Sequence, residues 1–156
     1  MNFVIEYLAD HPDSVGTIAR WHHDQWHHLS PNISFEQRRK QLSCLQQRSE
    51  VPTMFVAVYN GKVIGTAALL EHDMDTHKEL SPWLASVYVE KRYRRKGVGQ
   101  NLVHRVIKEA RSIQIKNLYL FTPDQERFYK HFGWEILFRE EYHGEQESVM
   151  VLHISV

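Results

Sequence analysis

The stretch that most constrains this chain runs from Val87 to Val103, Val-Tyr-Val-Glu-Lys-Arg-Tyr-Arg-Arg-Lys-Gly-Val-Gly-Gln-Asn-Leu-Val. A β-rich run stops at a basic turn, two glycines follow at i and i+2, and an amphipathic helix begins. That order builds an anion site. Gly97 and Gly99 lack a Cβ, so the backbone there can take unusual φ/ψ values and come close to a ligand. The amides from about Arg95 to Gln100 then point outward at a helix N-terminus, where unpaired N–H groups and the helix dipole favour phosphate. Five of the six residues Lys91, Arg92, Tyr93, Arg94, Arg95 and Lys96 are cationic, which adds charge beside the cradle.

The rest of the chain alternates strand and helix. Asn2 to Leu8 reads as a strand and Pro12 to His28 as a helix, with Ile18, Ala19, His22 and Trp26 on one side. Ser30-Pro31-Asn32 breaks it, and Ser34 is placed as the N-cap of a second helix that turns Phe35, Leu42 and Leu45 inward. Thr53 to Tyr59 and Lys62 to Leu70 are strands joined by Asn60-Gly61, a strong hairpin signal. Pro82 to Val89 is another strand. The helix from about Gly97 to Arg111 buries Val98, Leu102, Val103, Val106, Ile107 and Ala110 at helical spacing. Asn117 to Thr122 is a strand, Asp124 to Phe132 a short helix, and Trp134 to Glu141 with Ser148 to Ile154 a closing antiparallel pair. No repeat, low-complexity tract or linker interrupts this order.

Composition excludes several classes. A chain of 156 residues with 42% hydrophobic content fits one domain with an ordinary core. Lys plus Arg and Asp plus Glu are both 19, so no global basic field advertises a nucleic-acid partner. Cys44 is the one cysteine, which rules out an intrachain disulfide. The opening residues lack the features of a signal peptide, and no apolar run approaches the roughly 18 residues of a membrane span. A soluble cytoplasmic protein without membrane attachment is expected.

Two nucleotide-binding motifs fail on their letters. A P-loop needs Lys-Ser or Lys-Thr after its second glycine, and Gly99 is followed by Gln100 and Asn101; a dinucleotide fingerprint needs a third glycine where Leu102 stands. Arg94-x-x-Gly97-x-Gly99 instead resembles the pyrophosphate loop of the GNAT superfamily of acetyl-CoA-dependent N-acyltransferases. Glu126-Arg127-Phe128-Tyr129-Lys130-His131-Phe132-Gly133-Trp134 is similar to that family's later signature, Phe-Tyr-x-x-x-Gly followed by an aromatic. One helix and one strand fit between the two, as the family requires. The resemblance implies an α/β fold, β-α-α-β-β-β-α-β-α-β-β, with a central mostly antiparallel mixed sheet flanked by helices. It also implies a coenzyme A site built from Val87, Tyr88, Val89, Arg94, Arg95, Lys96, Gly97, Val98, Gly99, Gln100, Phe128 and Tyr129. A solvated turn or a small nucleic-acid patch competes for the basic run; the glycines and the helix after them favour coenzyme A phosphates.

Acyl transfer sets further demands. A primary amine must lose a proton before it can attack, the thioester carbonyl gains negative charge, and the departing thiolate needs a proton. By position in the family, the pre-loop strand holds the pantetheine arm with free backbone groups of Val87 and Val89, and the Val87 N–H polarises the thioester. Tyr129 matches the family's general acid; its alternative is a helix tyrosine packed beside Phe128 and Phe132. Relatives that carry Glu or His on the pre-loop strand have Trp83 and Ala85 as their counterparts here, and neither takes a proton. Glu71, His72 and Asp73 remain as candidate bases, with Glu71 preferred because it lies closest to the core strand, against a reading as a solvated carboxylate. Asp73 and its acidic neighbours attract a cationic amine, Trp83 forms a pocket wall or core, and Trp26 or His22 borders the acceptor.

His23 and His27 have the i, i+4 spacing of two metal ligands, but no Glu completes His-Glu-x-x-His and no cysteine cluster accompanies them, so no metal is expected. The expectation is direct transfer from acetyl-CoA to a primary amine, a small molecule in preference to a protein N-terminus or lysine. Its rivals are a non-catalytic acyl-CoA sensor, kept alive by the missing base, and a tRNA-directed acetyltransferase toxin, disfavoured by the neutral charge. The resemblance also allows a homodimer through the C-terminal strands.

Overall fold

The computed structural model describes residues 1–155. A seven-stranded sheet has the order β1-β2-β3-β4-β5-β7-β6. Its strands are β1 (Val4–Tyr7), β2 (Thr53–Tyr59), β3 (Lys62–Leu70), β4 (Trp83–Val89), β5 (Asn117–Thr122), β6 (Glu135–Tyr142) and β7 (Glu145–His153). Four helices join them: α1 (Val15–Trp26), α2 (Phe35–Ser43), α3 (Val98–Ser112) and α4 (Glu126–Lys130). Every neighbouring pair is antiparallel except β4 with β5. The mixed, mostly antiparallel sheet and the element order are those expected.

Local chemistry explains the elements. Asn60 and Gly61 take φ of 50° and 76°, the left-handed values that a two-residue hairpin turn requires. Ser34 accepts from the Gln37 amide while the Gln37 side chain accepts from the Ser34 amide, a reciprocal cap that starts α2. Alternation along the strands then sorts apolar side chains into two layers. On one face Phe55, Ala67, Leu84, Leu118, Met150 and Leu152 pack with Val98, Leu102, Val103 and Val106 of α3. On the other, Met54, Val56 and Ala68 pack with Ile18 and Ala19 of α1 and Leu42 of α2. A third cluster on that face joins Met74, Trp83 and Val149.

Gly65 decides how closely α3 approaches the sheet. A Cβ there would stand 2.9 Å from the Tyr88 carbonyl oxygen, 3.1 Å from Leu102 Cδ1 and 3.4 Å from Val98 Cγ1. The first contact is backbone and cannot swing aside. Gly65→Ala is expected to cost about 1–3 kcal/mol, the usual range for overpacking. Chemical denaturation reads this directly, and an unchanged midpoint would mean that β4 and α3 separate freely.

Candidate active site

β4 and β5 share a single registered residue pair, Trp83 with Tyr119, reinforced by the Tyr119 amide donating to Pro82 O at 3.0 Å. Beyond that pair the strands part, so the β4 edge from Leu84 to Val89 faces β5 without a ladder. On its other side β4 bulges against β3, with the register shifting between Thr66 and Ala68. At the bulge Ser86 has φ of 54°, a left-handed conformation that costs a non-glycine residue roughly 1–2 kcal/mol. The Thr66 hydroxyl donates to Ser86 O at 2.8 Å and holds the kink. With its one hydrogen so engaged, Thr66 Oγ1 accepts from His22 Nε2 at 2.9 Å. Burial, with the charge of Arg38 adding, pushes His22 down to about 3, so its ring is neutral. A three-residue chain from α1 through β3 thus fixes the backbone beside Val87.

Val87 and Val89 pack toward the α3 layer, whereas the Tyr88 ring points to α1. There it meets Trp21 at 5.5 Å, His22 at 6.1 Å and Trp26 at 6.2 Å between ring centroids. The aromatic group puts half-buried Trp26 on the side of the sheet opposite α3.

The glycine loop has the geometry of an anion cradle. Arg95 and Gly97 take φ of 62° and 83°, and Gly97 caps α3 with no side chain on the first helical amides. The N–H groups of Val98, Gly99 and Gln100 therefore lack intrahelical acceptors. Asn101 Nδ2 donates to Gly97 O at 2.7 Å and braces the turn. Arg94 is an internal strap as well as a cation: its Nε–H donates to Val89 O at 2.7 Å and its guanidinium lies 5.4 Å from the Tyr88 ring centre. Arg95 and Lys96 are exposed.

A groove of about 420 Å³ lies between α3 and α4 and is lined by Gln100, Gln125, Arg127, Phe128, His131 and Phe132. It brings together Gln100 and Phe128, which stand far apart in the sequence. The five residues of α4 could not hold a helix alone. Glu126 anchors it through a fork to Arg139 Nε and Nη2, both at 2.9 Å, and through Ser148 Oγ. These bonds, Arg139 first, hold Glu126 down at about 2. Tyr129 is 8% exposed, with its ring near Phe128 and Trp134, and its phenol is raised above the ordinary range by burial and by the charge of Asp124.

The remaining candidates are scattered over one face. Glu71 is exposed just past the end of β3, while Asp73 is half-buried two residues on. Trp83 is 1% exposed at the foot of β4, its Nε1–H donating to Leu80 O at 2.7 Å. His23 and His27 stack at 4.3 Å, and among the described residues no group of three or more His, Cys, Asp or Glu side chains is placed to hold a metal ion. No helix among the described residues is long and apolar enough to cross a membrane. Ser86 and Thr66, which shape the β4 kink beside Val87, were not expected there.

Comparison with known proteins agrees with this architecture. Among curated proteins, no sequence matches the chain. An acetyltransferase of the GNAT family from Streptococcus pneumoniae superposes with a TM-score of 0.71 at 17% identity, covering 99% of this chain and 100% of its own. The structure of yncA from Salmonella typhimurium with its cofactor acetyl-CoA gives 0.71 at 18%, covering 100% and 96%. An aminoglycoside 6'-N-acetyltransferase complexed with coenzyme A gives 0.73 at 14%, covering 96% of each chain. At these identities the likeness is one of fold. The model of the acetyltransferase (GNAT) family matches residues 15–134, most of the sequence, and the chain belongs to that family.

Proposed function

We propose that this protein binds acetyl-CoA and transfers the acetyl group directly to a primary amine of a small cationic acceptor. The observation that carries it is the parting of β4 from β5 beside the open N-terminus of α3. The bare amides after Gly97, with Arg95 and Lys96, receive the pyrophosphate. The pantetheine arm enters between the parted strands along Val87, Tyr88 and Val89, and Gln100 and Phe128 flank it from the groove. The Ser86 kink aims the Val87 N–H at the thioester carbonyl, where a preorganised donor is worth about 3 kcal/mol of barrier. Tyr129 donates a proton to the leaving sulfur. Trp26 and the acidic segment after β3, with Glu71 and Asp73, border the acceptor. Holding amine and thioester together in one complex supplies much of the rate.

Thermal melting with and without acetyl-CoA, in the wild type and in Gly97→Glu, tests the cofactor site. A Cβ at Gly97 would meet only Asn101 Nδ2, at 3.8 Å, so a side chain has room. The left-handed φ costs about 1–2 kcal/mol, and the new carboxylate occupies the cradle. At a hundredfold excess over Kd the wild type gains about 2.7 kcal/mol, or about 5–10 °C for a chain of this size. The folded variant is expected to gain nothing. Equal shifts in both proteins would place the cofactor elsewhere, and no shift in either would remove the proposal.

A further inference from the structure

Along β7 the side chains of Glu145, Glu147 and Val149 alternate onto one face of the sheet. Val149 packs there with Met74, from the segment between β3 and β4, and this carries Asp73 over the same face. Glu147 is 1% exposed, and its Oε2 has no hydrogen-bond partner. Asp73 is half-buried, and the charge of buried Glu147 acts on it.

Three segments form a rim around them. His143, in the β6–β7 turn, reaches Leu29 O through Nδ1 and Asp75 Oδ2 through Nε2, both at 2.9 Å. The Asp75 amide donates to the Tyr142 hydroxyl at 2.7 Å, and His28 lies 3.2 Å from Glu145. Asp124, just past β5, adds its charge at both Glu147 and Tyr129. Asp124 is itself exposed, and only its charge links this carboxyl cluster to the phenol. A buried carboxylate oxygen without a partner is costly unless it keeps a proton or meets a cation.

We propose that Asp73 takes the proton from the acceptor's ammonium, that buried Glu147 is a positioning residue, and that the acceptor is a small amine carrying at least two ammonium groups. This rests on the acetyl transfer proposed above and deepens it. Asp73 removes one proton from R–NH3+, and the freed lone pair forms the N–C bond to the thioester carbon. The C–S bond breaks as the Tyr129 proton passes to sulfur. The second proton lost by nitrogen restores Tyr129, and the proton on Asp73 leaves to solvent, giving amide, free thiol and one H+. The second ammonium of the acceptor meets the charge of Asp124 and Glu145.

The electrostatics suit these roles. Burial and the Glu147 charge push Asp73 up to about 8. Burial, followed by the charges of Glu145 and Asp124, pushes Glu147 up to about 7. A base in that range is matched to proton transfer near neutral pH. It is in the active form above about pH 8 and is lost as pH falls. His28, Asp75, Tyr142 and His143 are the other ionisable groups of the rim.

The test uses the full chain loaded with acetyl-CoA, titrated calorimetrically with 1,3-diaminopropane, spermidine and, for comparison, propylamine, with release of coenzyme A thiol as the kinetic readout. Either polyamine is expected to bind roughly tenfold tighter than propylamine and to bind better as pH rises through about 7–8. Asp73→Asn is expected to lower kcat by about a hundredfold, a typical general-base effect, with partial rescue in Asp73→Glu. Glu147→Gln is expected to move the acid limb of kcat/KM to lower pH, because a like charge has gone, with a smaller loss of kcat than in Asp73→Asn. Should that variant not fold, Glu147→Leu, which also removes the charge, carries the same measurement. The proposal is overturned by a chain that binds acetyl-CoA and shows no polyamine preference or no turnover of either polyamine. Full activity in Asp73→Asn, an unmoved limb in the Glu147 variant, or an equal loss in Glu71→Gln would overturn it too. Failure to bind acetyl-CoA at all would instead bring down the transfer reaction on which it rests.

Discussion

Tyr129→Phe is expected to lower kcat by about 10²–10⁴-fold while leaving acetyl-CoA affinity and thermal stability close to wild type. The substitution removes one hydroxyl and keeps the ring among Phe128 and Trp134, so the packing of α4 survives. What disappears, in the proposed reaction, is the proton for the departing thiolate. Burial and the nearby charge of Asp124 raise the phenol above its ordinary range, so it stays protonated at every pH at which the enzyme works. A thiol of reference pKa about 8.5 is the stronger acid of the two. The phenol therefore acts first as a hydrogen-bond donor, and its proton moves only as charge builds on sulfur. A burst experiment separates this step from product release, and the slow phase in the variant should be chemistry. Turnover within a factor of about three of wild type would reduce Tyr129 to a packing aromatic.

The site was legible where it depends on backbone direction and opaque where it depends on burial. Asn60-Gly61, the Ser34 cap and the glycines at 97 and 99 each impose a conformation by their own chemistry, and the structure has a turn, a cap and a helix start at those points. Strands β2, β3 and β5 begin and end at the expected residues because their apolar runs are closed by turn residues. Strand β7 was expected from Ser148 and starts at Glu145. Three polar letters, Glu145, Gln146 and Glu147, hide a strand whose partners on β6, Tyr142, Glu141 and Glu140, are equally polar or aromatic. That same disguise concealed Glu147, since a carboxylate gives no sign in sequence that the fold will bury it. Ser86 was hidden for a different reason. Nothing in a serine within a β-rich run signals a left-handed φ, which exists here because Thr66 bonds its carbonyl across a bulge. Helix α4 is shorter than its apolar spacing suggested, because Gln125 donates its amide to Thr122 Oγ1 and delays the start.

Trp83→Ala is expected to cost about 3–5 kcal/mol of folding stability, the usual penalty for removing a buried tryptophan side chain. Trp83 is 1% exposed and packs with Met74 and Val149, with Tyr119 and Phe121 at 5.8 and 6.2 Å between ring centroids. It also supplies the one β4 residue registered with β5, so its loss loosens the junction from which the two strands part. Activity should fall with stability, since Val87 and the Ser86 kink are positioned from that junction. Trp83→Phe separates the contributions: most of the buried area remains, and the loss is the bond from Nε1 to Leu80 O, worth about 0.5–1.5 kcal/mol, with a smaller cavity cost for the missing ring atoms. Denaturant midpoints of the two variants should therefore fall in the order Ala, Phe, wild type, with the slopes unchanged. An alanine variant of wild-type stability and raised KM for the amine would show instead that the indole is a wall of the acceptor pocket. That result would move the pocket toward the foot of β4, deeper than the rim formed by Asp75, His143 and Leu29.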